Sequence, residues 1–167
     1  MLIYLAGLLA IPLEIVEAEY HVRDLGRLGI PRDAGAKAAL RLRLRASADL
    51  NLNEIALDRL AVFLRGAETD TAMRIYEQIF ANCKHIIVQD TNRRHAIQDI
   101  LPAGKIEQIG LRDDEALLPA DPRSFSGYRL LREYFAFPQR FMFVGVSGLQ
   151  SPLQRIHDTS ADLLLLF

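Results

Sequence analysis

Between residues 40 and 45 leucine alternates with arginine, Leu40, Leu42 and Leu44 against Arg41, Arg43 and Arg45. Successive side chains of a strand point to opposite faces, so the pattern predicts a strand with one buried and one solvated face, and with it an antiparallel sheet. Residues 13–20 alternate more loosely between apolar and acidic and read as another strand. Further strands are expected over 58–65, 85–88, 161–167 and, more weakly, 95–98, where the chain returns after a turn at 90–94. Ala72, Tyr76, Ile79, Phe80 and Cys83 recur at helical spacing behind Thr69 and Asp70, either of which can cap a helix laid across the sheet. Residues 50–57 read as a turn with a short helical piece, and Pro102 and Gly104 mark another turn. Gly26, Gly29, Pro31 and Gly35 break the pattern over 21–37, which reads as a long connection, mobile or partner-binding.

The densest apolar stretch is DPRSFSGYRLLREYFAFPQRFMFVGV, residues 121–146. It holds seven of the thirteen aromatic residues and is therefore expected to anchor the core. Pro122 suits a helix entry and Ser124 or Ser126 a cap. Tyr128, Leu131 and Phe135, with Leu130 and Tyr134 beside them, form an apolar stripe, which leaves Arg129, Arg132 and Glu133 for water. Pro138 ends the helix and biases Phe137 toward an extended backbone. From 140 to 146 apolar residues run without alternation, as in a strand buried on both faces. The elements together give an α+β fold: a mainly antiparallel sheet, with a mixed one as the alternative, and two principal helices packed on it.

Half of the 167 residues are hydrophobic and a quarter charged, a globular composition in which one α+β unit spans the whole length. The formal net charge of −1 gives no field that draws nucleic acid or an anionic membrane. One cysteine, Cys83, permits no internal disulfide and fits a reducing compartment. The opening MLIYLAGLLAI lacks a basic start and breaks at Pro12, well short of the roughly 18 residues that span a bilayer, so a buried strand is expected. The chain stops at Phe167 inside the apolar run ADLLLLF, which reads as a fragment whose apolar ends seek burial elsewhere.

No arrangement of residues carries an obvious chemistry. Cys83 and His85 share a face at strand spacing, but no further ligand lies at the spacing a zinc site needs. His21, His95 and His157 are scattered singly and read as surface residues. Asp113, Asp114 and Glu115 are consecutive and so diverge in direction; they read as an exposed acidic loop rather than a cation site. Arg93 and Arg94 offer too few contacts for nucleic acid. The like charges of Arg41, Arg43 and Arg45 need an acidic answer, from the neighbouring strand or from a partner. There is no G-x-S-x-G, P-loop, dinucleotide fingerprint or H-E-x-x-H, and Ser147 in GVSGL reads as part of a turn.

The segment SFSGYRLLREYFAFPQRFMF resembles the signature of the TssF (VasA, ImpG) family of type VI secretion baseplate proteins. DDEALLPADPRSF, LRLRLRA and LDRLAVFLRGAETDTAMRIYEQI resemble that family too, in its order, whereas residues 1–12 and 90–104 do not. The resemblance implies an interior fragment of a longer baseplate protein and a structural rather than catalytic role, without cofactor or metal. It implies assembly with TssG and a second TssF copy in a wedge, and with TssK, TssE and the VgrG hub in the cytoplasm, at the inner face of the inner membrane. It marks Ser124, Gly127, Tyr128, Leu131, Tyr134, Phe135, Pro138 and Phe141 as scaffold positions. Arg41, Arg43, Arg45, Asp113, Asp114 and Glu115 are the candidate partner-facing residues, and the surfaces near the motif and the 21–37 connection are expected to meet a second TssF copy or TssG. Two other readings stand beside this one. A small hydrolase would use Asp113, Asp114 and Glu115, and requires facing carboxylates in a cleft. A freestanding module for a sugar or peptide requires a solvent-facing aromatic platform.

Overall fold

The computed structural model describes residues 2–5, 12–31, 34–47, 50–66, 69–91, 97–119 and 125–167. Leucine–arginine alternation places β3, Ala39–Ala46, with Leu40, Leu42 and Leu44 inward. It pairs antiparallel with β2, Leu13–His21, on one side and with β9, Ser160–Leu166, on the other. β9 then pairs with β5, His85–Asp90, which pairs with β6, Gln98–Pro102. The run of leucines in β9 is thus the middle strand of a five-stranded sheet, and Leu163–Phe167 are buried within the fold. The expectation that this end seeks cover elsewhere is corrected: neighbours on both sides and both faces already cover it.

A second sheet of four strands has the order β1, β4, β8, β7: Leu2–Leu5, Leu60–Arg65, Phe143–Val146 and Ile106–Gln108. All pairings among the described residues are antiparallel. A single apolar cluster draws on both sheets, Leu42, Ile86, Leu163 and Leu165 from one and Leu60, Val62, Val144 and Val146 from the other. Helix α1, Thr69–Asn82, adds Ile79 to it, with Tyr76, Phe80 and Cys83 packed alongside, as the helical spacing predicts. Thr69 and Asp70 lie in the first turn of the helix rather than before it.

The 21–37 connection, read from the sequence as a mobile or partner-binding loop, packs on the other face of the five-stranded sheet. A short 3₁₀ turn, Leu25–Leu28, and the residues after it lay Leu25, Leu28, Ile30, Ala34 and Ala36 over Ile87, Leu164 and Leu166. Gln89 Nε2 donates to the Leu28 carbonyl at 2.8 Å, and Lys84 Nζ to that of Gly35. The connection is the second cover of the sheet, which explains why β9 and β5 are apolar at successive positions instead of alternating.

Three further elements differ from expectation. The returning strand β6 begins at Gln98; Arg93, Arg94 and His95 lie outside the described residues. The apolar run after Pro138 first forms a 3₁₀ turn, Pro138–Met142, and only Phe143–Val146 is strand. After Ser147, whose Oγ donates to the Lys105 carbonyl, a short helix α3, Gln150–Gln154, follows where sequence patterning gives no helix. Leu149, Leu153 and Ile156, at i, i+4 and i+7, are fully buried around it. Pro152 is tolerated because it sits in the first turn, where a backbone N–H has no intrahelical acceptor.

Candidate interaction surface

The arginine face of β3 is answered from within the fold. Arg41 reaches Glu17 and Glu19 at 2.8 Å, Arg45 reaches Glu14 at 2.7 Å, and Arg43 makes two bonds to Asp162 on the central strand. The Asp162 bonds outweigh the cost of partial burial and hold the Arg43 pKa above its ordinary value. The neighbouring strands therefore supply the acids that answer this face.

The Cys83 thiol donates to the His85 carbonyl at 3.5 Å, and no group of three or more metal-ligating side chains occurs among the described residues. Burial pushes the Cys83 pKa up to about 11. Alkylation by iodoacetamide is expected to accelerate with pH up to about 11 instead of levelling near 9, followed by mass spectrometry. His157 contacts Asn53 and His21 contacts Glu19, at 3.0 and 3.1 Å.

The largest departure concerns the aromatic helix. Helix α2, Ser126–Ala136, is amphipathic as its spacing predicts, but it lies the other way up. Tyr128, Leu131, Tyr134 and Phe135 are exposed, Phe135 by 81%, whereas Glu133 and Arg129 are 2% and 6% exposed. Phe125 precedes the helix without a side-chain cap; Ser126 is already helical and Ser124 lies outside the described residues. Beyond it Phe137 turns the chain at φ −151°, ahead of Pro138.

Buried charge fixes this orientation. Arg129 donates to both Glu133 oxygens at 3.2 Å and to Asp113 at 2.8 Å. Arg140, 6% exposed, donates to Glu133 and to the Glu115 carbonyl. The backbone N–H groups of Leu117 and Leu118 complete the Glu133 shell at 3.0 and 3.1 Å. Glu115 accepts from Gly110 N–H at 2.7 Å and from Arg59, which also holds Glu107. Gly110 has φ +100°, a backbone conformation that strains any other residue, and a Cβ there would lie 3.1 Å from Arg140 Nε, close enough to push the side chain aside. The chain of contacts ties α2 through Arg140 and Arg59 to the four-stranded sheet.

Burial alone would raise the Glu133 and Glu115 pKa values, but the donors around each outweigh it: for Glu133 Leu118 N–H, Arg129, Leu117 N–H and Arg140, for Glu115 Gly110 N–H and Arg59. Both carboxyls therefore ionise below the ordinary value in the fold. Their contribution to stability is complete above the unfolded pKa, about 4.3, and is lost as pH falls through the folded values. Acid unfolding followed by circular dichroism is expected to set in below about pH 4.

Of the acidic triplet, Asp113 and Glu115 thus turn into this network and Asp114 pairs with Arg112 at 3.0 Å. They do not face each other across a cleft, and the Asp113 and Asp114 side chains stay 77% and 64% exposed. The aromatic rings do face solvent, as a binding module requires, but they form no flat platform: Phe125 meets Tyr128 at 87° and Tyr134 meets Phe135 at 79°. Gly127 makes the first contact feasible, because any side chain there would collide with the Phe125 ring.

A model of the family described as "Type VI secretion system, TssF" matches residues 8–167. The chain belongs to the TssF family. Type VI secretion system component TssF1 of Pseudomonas aeruginosa strain PAO1 is 41% identical to it over 159 residues. That match takes in 93% of the chain and 25% of the relative, so the chain spans about a quarter of the length of a curated TssF protein. The fold is similar, with a TM-score of 0.65, to a chain of the type VI TssK-TssF-TssG baseplate subcomplex solved by cryo-electron microscopy. There the identity is 21%, and 93% of this chain covers 29% of that one. In this TssF segment the motif positions divide by environment. Tyr128, Leu131, Tyr134 and Phe135 line the outer face, Phe141 is half-buried against Tyr134 at 5.9 Å, and Pro138 heads the following turn.

Sequence reasoning left Arg129 and Glu133 for water and did not single out Arg140; the fold buries all three. The available signal is their spacing: Arg129 and Glu133 are four apart on one helix face, and Arg140 follows Glu133 by seven.

Proposed function

We propose that the chain is a structural part of the type VI secretion baseplate, working by recognition between subunits rather than by making or breaking bonds. The family match over nearly its whole length carries this reading. In it the chain joins TssG and TssK, the subunits present with TssF in the subcomplex whose fold it shares. The finer arrangement we infer is a wedge with a second TssF copy, meeting TssE and the VgrG hub on the cytoplasmic side of the inner membrane, with 1–167 acting as one α+β unit of a longer protein. No helix among the described residues is long and apolar enough to cross a membrane, and Cys83 is a free thiol.

The test is copurification of the chain with TssG and TssK of the same bacterium, followed by mass measurement of the complex. A stable complex with either subunit is the expected result. A folded protein that binds neither overturns the reading.

A further inference from the structure

Helix α2 is attached to the rest of the molecule by charge. Among its described side chains Arg129 and Glu133 are the buried ones, and neither apolar cluster takes a residue from it; Leu130 is half-buried but belongs to neither. Its ring contacts run to Phe125 before it and to Phe141 in the turn behind it. Helix α1, by contrast, packs Ile75, Tyr76, Ile79 and Phe80 into the cluster that both sheets share. Burial of apolar surface is the main favourable term in folding, whereas an ion pair taken out of water gains in attraction little more than its desolvation costs. The sheets therefore rest on the large term and α2 on the small one.

The ionic network also has a plane along which it divides. Glu133 and Arg129 belong to the helix, and the groups they touch belong to the body: Arg140 in the turn before β8, the N–H groups of Leu117 and Leu118, and Asp113. Parted there, Arg140 keeps the Glu115 carbonyl, and Glu115 keeps Arg59 and the Gly110 N–H. Arg129 and Glu133, one turn apart on the helix, enter water as a pair. Neither half loses all of its partners. The helix has 11 residues with Gly127 in its first turn, and one so short is marginal in water by itself. Its backbone hydrogen bonds thus report whether it is docked.

We propose that α2 undocks as a unit, by release of the Glu133 and Arg129 contacts, while both sheets stay folded, so that the helix acts as an ionic latch on a stable body. Native proteins open in such units, and the least stable are those with few buried apolar contacts. The receiving groups stay in place, Arg140 beside β8 and Glu115 on Arg59, so the same contacts re-form on closing. This opening is a property of the chain itself, independent of its place in a baseplate.

Amide hydrogen exchange of the chain tests it, read by mass spectrometry of peptides covering 126–137 and 160–166 under conditions where exchange follows the opening equilibrium. In wild type the α2 amides are expected to be protected, but about a hundredfold or more below those of β9. Ile86→Val removes one methylene from a fully buried side chain of the shared cluster and is expected to lower β9 protection about fivefold while that of α2 is unchanged. Glu133→Gln is expected to lower α2 protection about tenfold. Urea below the unfolding transition should accelerate α2 exchange with a much shallower slope than β9, since undocking exposes little apolar surface. Equal protection of the two segments, a parallel loss in Ile86→Val, equal urea slopes, or unchanged α2 protection in Glu133→Gln overturns the proposal. Wild-type α2 amides that exchange at the unprotected rate overturn it too, because the helix would then not be docked at all.

Discussion

Replacing Glu133 by alanine is expected to cost about 3 kcal/mol of unfolding free energy. The carboxylate is the shared acceptor for Arg129, Arg140 and two backbone N–H groups, and it is 2% exposed. Without it two guanidinium groups stay beneath α2 with Asp113 and a carbonyl as their hydrogen-bond partners among the described residues. Removing one member of a buried ionic group typically costs about 3 to 5 kcal/mol, and the low end applies because the cluster lies just one helix below solvent. Chemical denaturation of wild type and variant measures the difference. Glu133→Gln is expected to fall between them, since the amide still accepts one hydrogen bond but carries no charge. The variant should also lose part of the acid sensitivity of the wild type. A variant as stable as wild type would mean that these charges are solvated and do not hold the helix.

How α2 lies shows where sequence patterning stops. A helical period says that one side of a helix is apolar and the other polar; it does not say which side faces the core. For α1 the usual assignment holds, because Ile79, with Ile75, Tyr76 and Phe80, packs into the cluster that the sheets share, and polar residues such as Arg74 and Glu77 take other sides of the helix. For α2 it reverses, because the polar side meets other charges in exact register from 113–118 and from Arg140, contacts made by residues outside the helix. The leucine–arginine strand was legible for the opposite reason: each arginine could be answered only by an adjacent strand or a partner, and β2 offers Glu14, Glu17 and Glu19 in register. α3 escaped because glycine and proline around a few leucines look like a turn, and only burial reveals Leu149, Leu153 and Ile156 as one face. The 21–37 connection likewise has loop composition, and its few apolar residues gain meaning from the bare sheet face they cover.

Leu163→Ala is expected to destabilise the protein by about 3 to 4 kcal/mol, while Phe135→Ala changes stability by less than about 0.5 kcal/mol. Leucine and phenylalanine both look like core anchors in the sequence, and the fold separates them. Leu163 is fully buried on the central strand β9, between β3 and β5, and belongs to the cluster that both sheets share. Truncating it removes buried methyl groups and leaves a cavity that two flanking strands prevent from collapsing. Phe135 touches Tyr134 by its edge and otherwise meets solvent, so its truncation removes little buried surface from the isolated chain. Phe141, half-buried beside Tyr134 with the Arg140 guanidinium 6.0 Å from its ring centre, is expected to lie between the two. Thermal and chemical unfolding of the three variants gives the ranking. Equal losses for Leu163→Ala and Phe135→Ala would return the aromatic face of α2 to the core. The expected inequality means that the exposed aromatic residues of α2 contribute little to the folding of this chain, and that β9 carries the core.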